Sequence, residues 1–173
     1  LLCALKEASE RDAWLSDAHV SRKFFTIDQH IHCTACGLMP DALSLVDKAR
    51  SIAAQHARVF GSGIPLQRLA SLLGSHKQEM TQKFGSRPMG AALMLAGDDK
   101  QNGFGLYTTS PTGMYQAWRA AAVGEGAETV RSILQQEYPQ PRSMAEAWPL
   151  VRKTIREHLK RHRQPQQHQH TPS

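Results

Sequence analysis

The chain has 173 residues, a formal net charge of +6 and three cysteines. This length holds one ordinary domain with a hydrophobic core rather than two. The sequence has no apolar run near the length of a membrane span and no charged leader before an apolar stretch, so we expect a soluble intracellular protein with reduced thiols.

The first third of the chain predicts two strands followed by a helix. Residues 1–8 and 31–38 have the composition of strands, and a polar, charged connection separates them. From Asp41 onward, apolar residues recur every three or four positions. This spacing predicts an amphipathic helix that ends at Gly61.

The middle of the chain predicts a second helix, a buried strand and a hairpin. Pro65 fits the first turn of a helix whose apolar stripe runs from residue 66 to residue 80. The apolar run 89–96, bracketed by glycines, is typical of a strand buried on both faces. Pro111-Thr112-Gly113 then supplies the fixed φ and the permissive φ that a hairpin turn needs.

The last part of the chain predicts two helices and a tail. Apolar spacing over residues 127–138 indicates a third helix, and a capping-box pattern at 143–146 begins a fourth. Pro149 removes a backbone donor within that helix, which predicts a kink or a later start. Residues 164–173 are rich in glutamine, histidine and proline and predict a disordered tail. The domain is therefore expected over residues 1–163.

The order of these elements is strands, two helices, strands, two helices. A parallel doubly wound sheet would show strict alternation of strands and helices instead. The residues alone therefore predict an α+β layered domain, with antiparallel strands covered by helix pairs.

Two groups of metal-ligating residue types occur on the second predicted strand. Cys33 and Cys36 have the spacing of redox and zinc motifs, but on a strand this separation points the thiols to opposite faces. His30 and His32 are expected on one strand face, without further ligands nearby. The cysteines are interpreted as packing residues, and we expect no metal at either group and no cofactor.

Most of the net positive charge lies near the end of the fourth predicted helix. Six basic residues occur there with one glutamate: Arg152, Lys153, Arg156, Lys160, Arg161 and Arg163, with Glu157. Such a cluster is compatible with nuclear import or RNA contact, whereas a solvated helix end beside the negative pole of the helix dipole is the preferred interpretation. A basic nucleic-acid-binding module stays an alternative, ranked last because aromatic residues are few.

Four segments share the features of one family. Residues 21–31 combine a serine, a lysine two positions later and an isoleucine-aspartate pair before a strand. Residues 36–42 place a glycine and an aspartate at the start of the first helix, and 87–90 hold an arginine-proline pair followed by a glycine. With the strand at 103–107, these segments resemble the alpha-type subunits of the proteasome core. The strand at 103–107 is similar to the corresponding strand of the type-4 branch of that family.

The resemblance implies the four-layer αββα sandwich of N-terminal-nucleophile hydrolases and a place in a seven-membered outer ring. It implies no catalytic residue, because cleavage in this assembly belongs to beta-type subunits with an N-terminal threonine. The expected role is structural and activator-docking, in ubiquitin-dependent protein degradation. Nothing before Leu1 or after the fourth helix resembles the family's terminal segments, so we expect a fold that is incomplete at both ends.

The resemblance also implies a partner-binding site at Lys23, Gly37 and Leu38. In the family, the matching lysine lies between neighbouring subunits and receives the C-terminal carboxylate of activators such as the regulatory-particle ATPases. The matching glycine-leucine segment lines the same pocket. An ammonium at a cleft mouth recognises a chain terminus as a point charge. The alternative is an ordinary surface lysine before a strand.

An active hydrolase of the same fold is the remaining alternative. It would need a nucleophile that processing exposes at the start of a strand. The sequence places no threonine at a suitable position near its amino terminus. The expected partners are therefore other alpha and beta subunits and activators.

Overall fold

The computed structural model describes residues 23–99, 103–137 and 143–163. Within these ranges the strands and helices follow in the order β1 (Phe24–Asp28), β2 (Ile31–Gly37), α1 (Met39–Phe60), α2 (Leu66–Gln82), β3 (Ala91–Asp99), β4 (Gly103–Thr109), β5 (Tyr115–Ala117), α3 (Ala127–Glu137) and α4 (Met144–Arg163). None of the helices in these ranges is both long and apolar enough to span a membrane.

The described residues divide into two compact units, one that ends at Gly124 and one that begins at Glu125. The first contains all the described strands with α1 and α2, and the second contains α3 and α4. The strand predicted at 1–8 and the tail predicted at 164–173 lie outside the described residues.

The strands of the first unit form one antiparallel sheet in the order β1-β2-β3-β4-β5. Neighbours in the sheet are neighbours in sequence, and only the connection from β2 to β3 is long, because it contains α1 and α2. The predicted α+β class with antiparallel strands is confirmed.

The first strand of this sheet corrects the expectation of a polar connection before residue 31. Phe24–Asp28 is a strand, and it pairs with β2 from Phe24 opposite Thr34 onward. Its aromatic and β-branched residues suit a strand. Because β1 is the end strand of the described sheet, with Phe24 46 % exposed, it lacks the continuous apolar pattern of a central strand.

The hydrophobic core lies between this sheet and the two helices α1 and α2. Alternate residues of the two central strands enter it: Ile31, Cys33 and Ala35 from β2, and Ala91, Leu93 and Leu95 from β3. The helices add Ala42, Leu45, Val46, Ala49 and Ala53 from α1, and Leu66, Leu69, Ala70 and Leu73 from α2. Each of the larger side chains contributes about 1.5–3 kcal/mol through burial. The predicted stripe of α1 is confirmed. That of α2 is confirmed at Leu66, Leu69 and Leu73, whereas the predicted stripe residue Leu72 is 40 % exposed and Met80 is half-buried.

The ends of these elements also follow the sequence. α1 stops at Gly61, whose φ of 65° is left-handed and whose N–H donates to the Ala57 carbonyl. Pro65 is the N-cap of α2 rather than a first-turn residue. The predicted hairpin turn joins β4 to β5, and Gly113 adopts a φ of 92° there.

The turn between β1 and β2 corrects the expectation for the two histidines. His30 lies in the turn, with Nε2 3.0 Å from the Ile64 carbonyl oxygen. His32 lies on β2, with Nδ1 3.3 Å from Thr26 Oγ1. The imidazoles therefore do not share a strand face, because the turn occupies residues 29 and 30.

The second unit contains α3 and α4, which contact each other. Lys153 Nζ lies 2.7 Å from both carboxylate oxygens of Glu137. Ser143 Oγ accepts the N–H of Glu146 at 3.3 Å, as the capping pattern predicts. The later start expected from Pro149 is wrong, because this cap begins α4 at Met144 and the proline lies inside the helix.

Candidate functional site

Lys23, Gly37 and Leu38 lie at the same end of the sheet. Lys23 directly precedes β1, and Phe24 is paired with Thr34, close to the point where β2 ends at Gly37. Leu38 follows as the N-cap of α1. The antiparallel pairing of β1 with β2 thus brings together residues that are 14 and 15 positions apart in sequence.

Gly37 and Leu38 have a specific backbone conformation. Gly37 has a φ of 104°, and a Cβ at this position would overlap the carbonyl oxygen of Gly90. The N–H of Leu38 donates to the same carbonyl oxygen at 2.8 Å. The Leu38 side chain is 56 % exposed. This end of the sheet therefore needs a glycine and presents an apolar side chain to solvent.

A charged cluster lies directly behind this backbone. Both terminal nitrogens of Arg87 donate to the Asp41 carboxylate, at 2.7 and 2.8 Å, and the Gly90 N–H donates to Asp41 Oδ2 at 2.8 Å. The hydrogen bonds from Arg87 and Gly90 lower the pKa of Asp41 from 3.8 to about 2. The first turn of α1 is thereby joined to the segment before β3.

Lys77 is fully buried beside the start of β3 and the end of β4. Its Nζ donates to the Ala91 carbonyl at 3.0 Å, to the Thr109 carbonyl at 3.1 Å and to Thr109 Oγ1 at 2.9 Å. Burial lowers the pKa of Lys77 from 10.5 to about 8. The ammonium ties α2 to β3 and β4, and its three N–H groups all have acceptors.

Cys36 lies among these positive charges. Burial raises the pKa of its thiol, and a backbone hydrogen bond to Ala92 and the charges of Lys77 and Lys23 partly offset that effect. Cys33, on the core side of β2, has its pKa raised by burial from 9.0 to about 12. Both cysteines are free, and the described residues contain no group of three or more potential metal ligands.

Sequence reasoning identified the exposed residues of this site and missed the ones that hold them. The sequence marks Asp41, Arg87 and Gly90 only through their match to the family's spacing, and it does not predict a role for Lys77. The adjacent Arg-Pro pair and an aspartate in the first turn of a helix are visible in sequence. Their pairing across 46 residues is not.

The family model for a proteasome subunit matches residues 1–167 of this chain. The chain therefore belongs to the proteasome subunit family. Within that family it is similar to alpha type-4 subunits, as the sequence predicts. Proteasome subunit alpha type-4-1 of Oryza sativa subsp. indica is 37% identical over 141 residues, which are 82% of this chain and 56% of the relative.

Two further relatives are also alpha type-4 subunits of similar identity. Proteasome subunit alpha type-4-A of Arabidopsis thaliana is 37% identical over 135 residues, covering 78% of this chain and 54% of the relative. Proteasome subunit alpha type-4 of Petunia hybrida is 35% identical over 135 residues, with the same two coverages. The chain spans about half the length of the curated relatives it matches.

Proposed function

We propose that this protein is a non-catalytic alpha-ring subunit of the 20S proteasome core, which acts in ubiquitin-dependent protein degradation in the cytoplasm and nucleus. Its proposed partners are other alpha and beta subunits of the core. The observation that carries the proposal is the 37% identity to alpha type-4 subunits over 82% of the chain. In this role, the protein contributes surfaces for assembly and docking.

The described fold supports the proposed architecture. One antiparallel sheet with α1 and α2 packed against it has the composition of one helix layer and one sheet layer. The four-layer αββα sandwich of the family would contain two such pairs of layers. We include that sandwich in the proposal.

The environment of Thr109 supports a non-catalytic role. Its hydroxyl lies 2.9 Å from Lys77 Nζ, a threonine-lysine pair that in an accessible site would suit nucleophilic catalysis. Both residues have 0 % exposure, and Lys77 also donates to two backbone carbonyls. A substrate carbonyl cannot reach this hydroxyl, so the pair acts as a strand connection.

The end of the sheet around Lys23 is the proposed docking site for activators, including ATPases of the regulatory particle. Lys23 supplies a positive charge for the C-terminal carboxylate of the partner. Gly37 allows the end of β2 to lie close to Gly90, and the exposed side chain of Leu38 offers an apolar surface beside it. Recognition of a chain terminus by a point charge with neighbouring apolar contacts is a common mode of peptide binding.

Assembly is tested by tagging the chain in the cells that produce it and separating native extracts by size. We expect the tag in a particle of several hundred kilodaltons together with other proteasome subunits. The same fraction should retain its peptidase activity when Thr109 is replaced by Val. A free monomer whose own peptidase activity disappears with a single Ser, Thr or Cys substitution would support the hydrolase alternative.

Docking is tested by Lys23→Ala in the assembled ring. A charge-assisted contact contributes about 1 to 3 kcal/mol, so the Kd for an activator's C-terminal peptide should rise by about 5-fold to 150-fold. Lys48→Ala is the matched control, because Lys48 is an exposed lysine on α1. Equal Kd values for the two variants would show that Lys23 is an ordinary surface lysine.

A further inference from the structure

The hairpin turn between β4 and β5 contains a serine followed directly by a proline. Ser110 is the first residue after β4, and the turn runs over residues 110–113. In the whole sequence, the other hydroxyl residue that precedes a proline is Thr171, which lies outside the described residues. The pair of Ser110 and Pro111 therefore has a defined place in the fold, at the end of a strand.

The hydrogen bonds of the turn leave the Ser110 hydroxyl at the surface. The Ser110 N–H donates to the Met114 carbonyl at 2.8 Å, and the Gly113 N–H donates to the Ser110 carbonyl at 3.1 Å. Ser110 Oγ lies 2.7 Å from Thr112 Oγ1, and Thr112 is exposed. Among the described residues, the serine oxygen is therefore bonded to an exposed hydroxyl rather than to a core group.

The preceding residue, Thr109, has the opposite environment. It has 0 % exposure, and its carbonyl and hydroxyl oxygens both accept hydrogen bonds from Lys77. Successive side chains of an extended chain point to opposite faces, and the residue before a proline is restricted to extended conformations. Ser110 thus projects away from the buried Thr109–Lys77 junction, which anchors the base of the turn in the core.

We propose that Ser110 is a phosphorylation site for a proline-directed protein kinase. Such a kinase recognises the residue that follows its acceptor, and Pro111 supplies there a ring with a fixed φ and no backbone N–H. The strand after the turn, β5, has three residues, all exposed, and is an end strand of the described sheet. Opening of the turn for the kinase is therefore a local event that leaves the core intact.

The reaction needs ATP as its second substrate. The hydroxyl oxygen of Ser110 forms a bond to the γ-phosphorus, the bond from this phosphorus to the bridging oxygen breaks, and ADP leaves. The hydroxyl proton passes to a base of the kinase. The product carries a charge of about −1.5 to −2 at pH 7 and three acceptor oxygens. The Thr112 hydroxyl, 2.7 Å from Ser110 Oγ, is placed to donate to one of them.

Phosphorylation would change the character of this part of the surface. Met114 and Tyr115, which follow the turn, are 69 % and 41 % exposed. A dianion beside them opposes apolar contacts, and charge at an end strand opposes pairing with another strand. The modification is therefore a switch of this surface from apolar to anionic.

The test uses the full chain in its native assembly, a purified proline-directed kinase and ATP labelled at the γ-phosphate. Thr171→Val is the background, because it removes the other hydroxyl that precedes a proline. We expect labelling that approaches a single phosphate per chain, located on Ser110 by mass spectrometry and absent in Ser110→Ala. Thr112→Val is the matched control, because it removes the neighbouring exposed hydroxyl and should keep the label.

Pro111→Ala separates recognition of the sequence from exposure of the serine. Alanine loosens the turn and so exposes Ser110 further, yet the initial rate of labelling should fall by about tenfold or more, because the kinase recognises the proline. A synthetic peptide of residues 105–116 is the unfolded reference. The inference is overturned if the peptide is labelled and the chain is not, or if neither is labelled. It is also overturned if Thr112 carries the phosphate or if Pro111→Ala is labelled at the unmodified rate.

Discussion

Lys77 is a buried cation whose environment fixes its protonation range. Its ammonium has 0 % exposure and donates to two carbonyl oxygens and one hydroxyl oxygen, all of them neutral. Burial disfavours the charged form, and the pKa falls from 10.5 to about 8. The residue joins three elements, but it does so at an electrostatic cost that changes with pH.

The electrostatic cost of burying the Lys77 ammonium should be visible in the pH dependence of stability. Between pH 8 and pH 10.5 the unfolded chain binds more protons at Lys77 than the folded chain does, so stability from this group rises with pH. The gain is about 3 kcal/mol across the window, on the order of 1.4 kcal/mol per pH unit. Urea unfolding at pH 8 and pH 10 should show this rise in the unmodified chain relative to Lys77→Met.

Cys33 makes that comparison necessary. Its folded pKa of about 12 exceeds the ordinary 9.0, so its contribution to stability falls as pH rises above 9. The difference between the unmodified chain and Lys77→Met cancels this effect, because both contain Cys33. Identical pH dependence in the two proteins would contradict a depressed pKa at Lys77.

At the level of elements, α1 is connected to the segment before β3 through Asp41. The folded pKa of about 2 lies below the ordinary 3.8, so the stability that this carboxylate adds is complete above pH 3.8 and is lost as pH falls through 2. Asp41→Asn should therefore lower the thermal midpoint at pH 7 and reduce the loss of stability between pH 4 and pH 2.

The coupling of Asp41 with Arg87 can be measured in the same series. The combined Asp41→Asn and Arg87→Gln variant should lose less stability than the two single variants added together, because both remove the same pair. Strict additivity of the two effects would show that the ion pair does not stabilise the junction.

The close approach of the end of β2 to Gly90 can be tested in the same way. Gly37→Ala should cost well over 1 kcal/mol, because its φ of 104° is unfavourable for alanine and its Cβ would overlap Gly90. Gly61→Ala is the control, since Gly61 has a φ of 65° with nothing within 4 Å of a Cβ. It should cost about 1 kcal/mol. Chemical unfolding of both variants measures the two losses of free energy of unfolding. Equal losses would exclude the close approach of Gly37 to Gly90.

For the whole molecule, burial predicts which elements open first. β2 and β3 have strand neighbours on both sides and supply six core residues, whereas α3 contains no buried residue. Amide hydrogen exchange of the chain should therefore be slowest in β2 and β3 and much faster in α3. Protection of α3 equal to that of β2 would indicate that a further partner covers this helix.

The sequence alone determined the elements whose signals are local. The limits of α1, the buried strand β3 and the turn at Pro111-Thr112-Gly113 follow from periodicity and from the φ preferences of proline and glycine. The family was also readable from short motifs, because their spacing along the chain is itself the signal. Burial of the core stripes followed from the same periodicities.

The tertiary structure decided what depends on neighbours distant in sequence. β1 is a strand because β2 offers it a partner, although its own apolar pattern is weak. Lys77 is buried because acceptors from positions 14 and 32 residues away complete its hydrogen bonds. Asp41 meets Arg87 only because α1 packs beside the start of β3. Local propensity acts within a few residues, whereas the geometry of a site depends on which surfaces the core brings together.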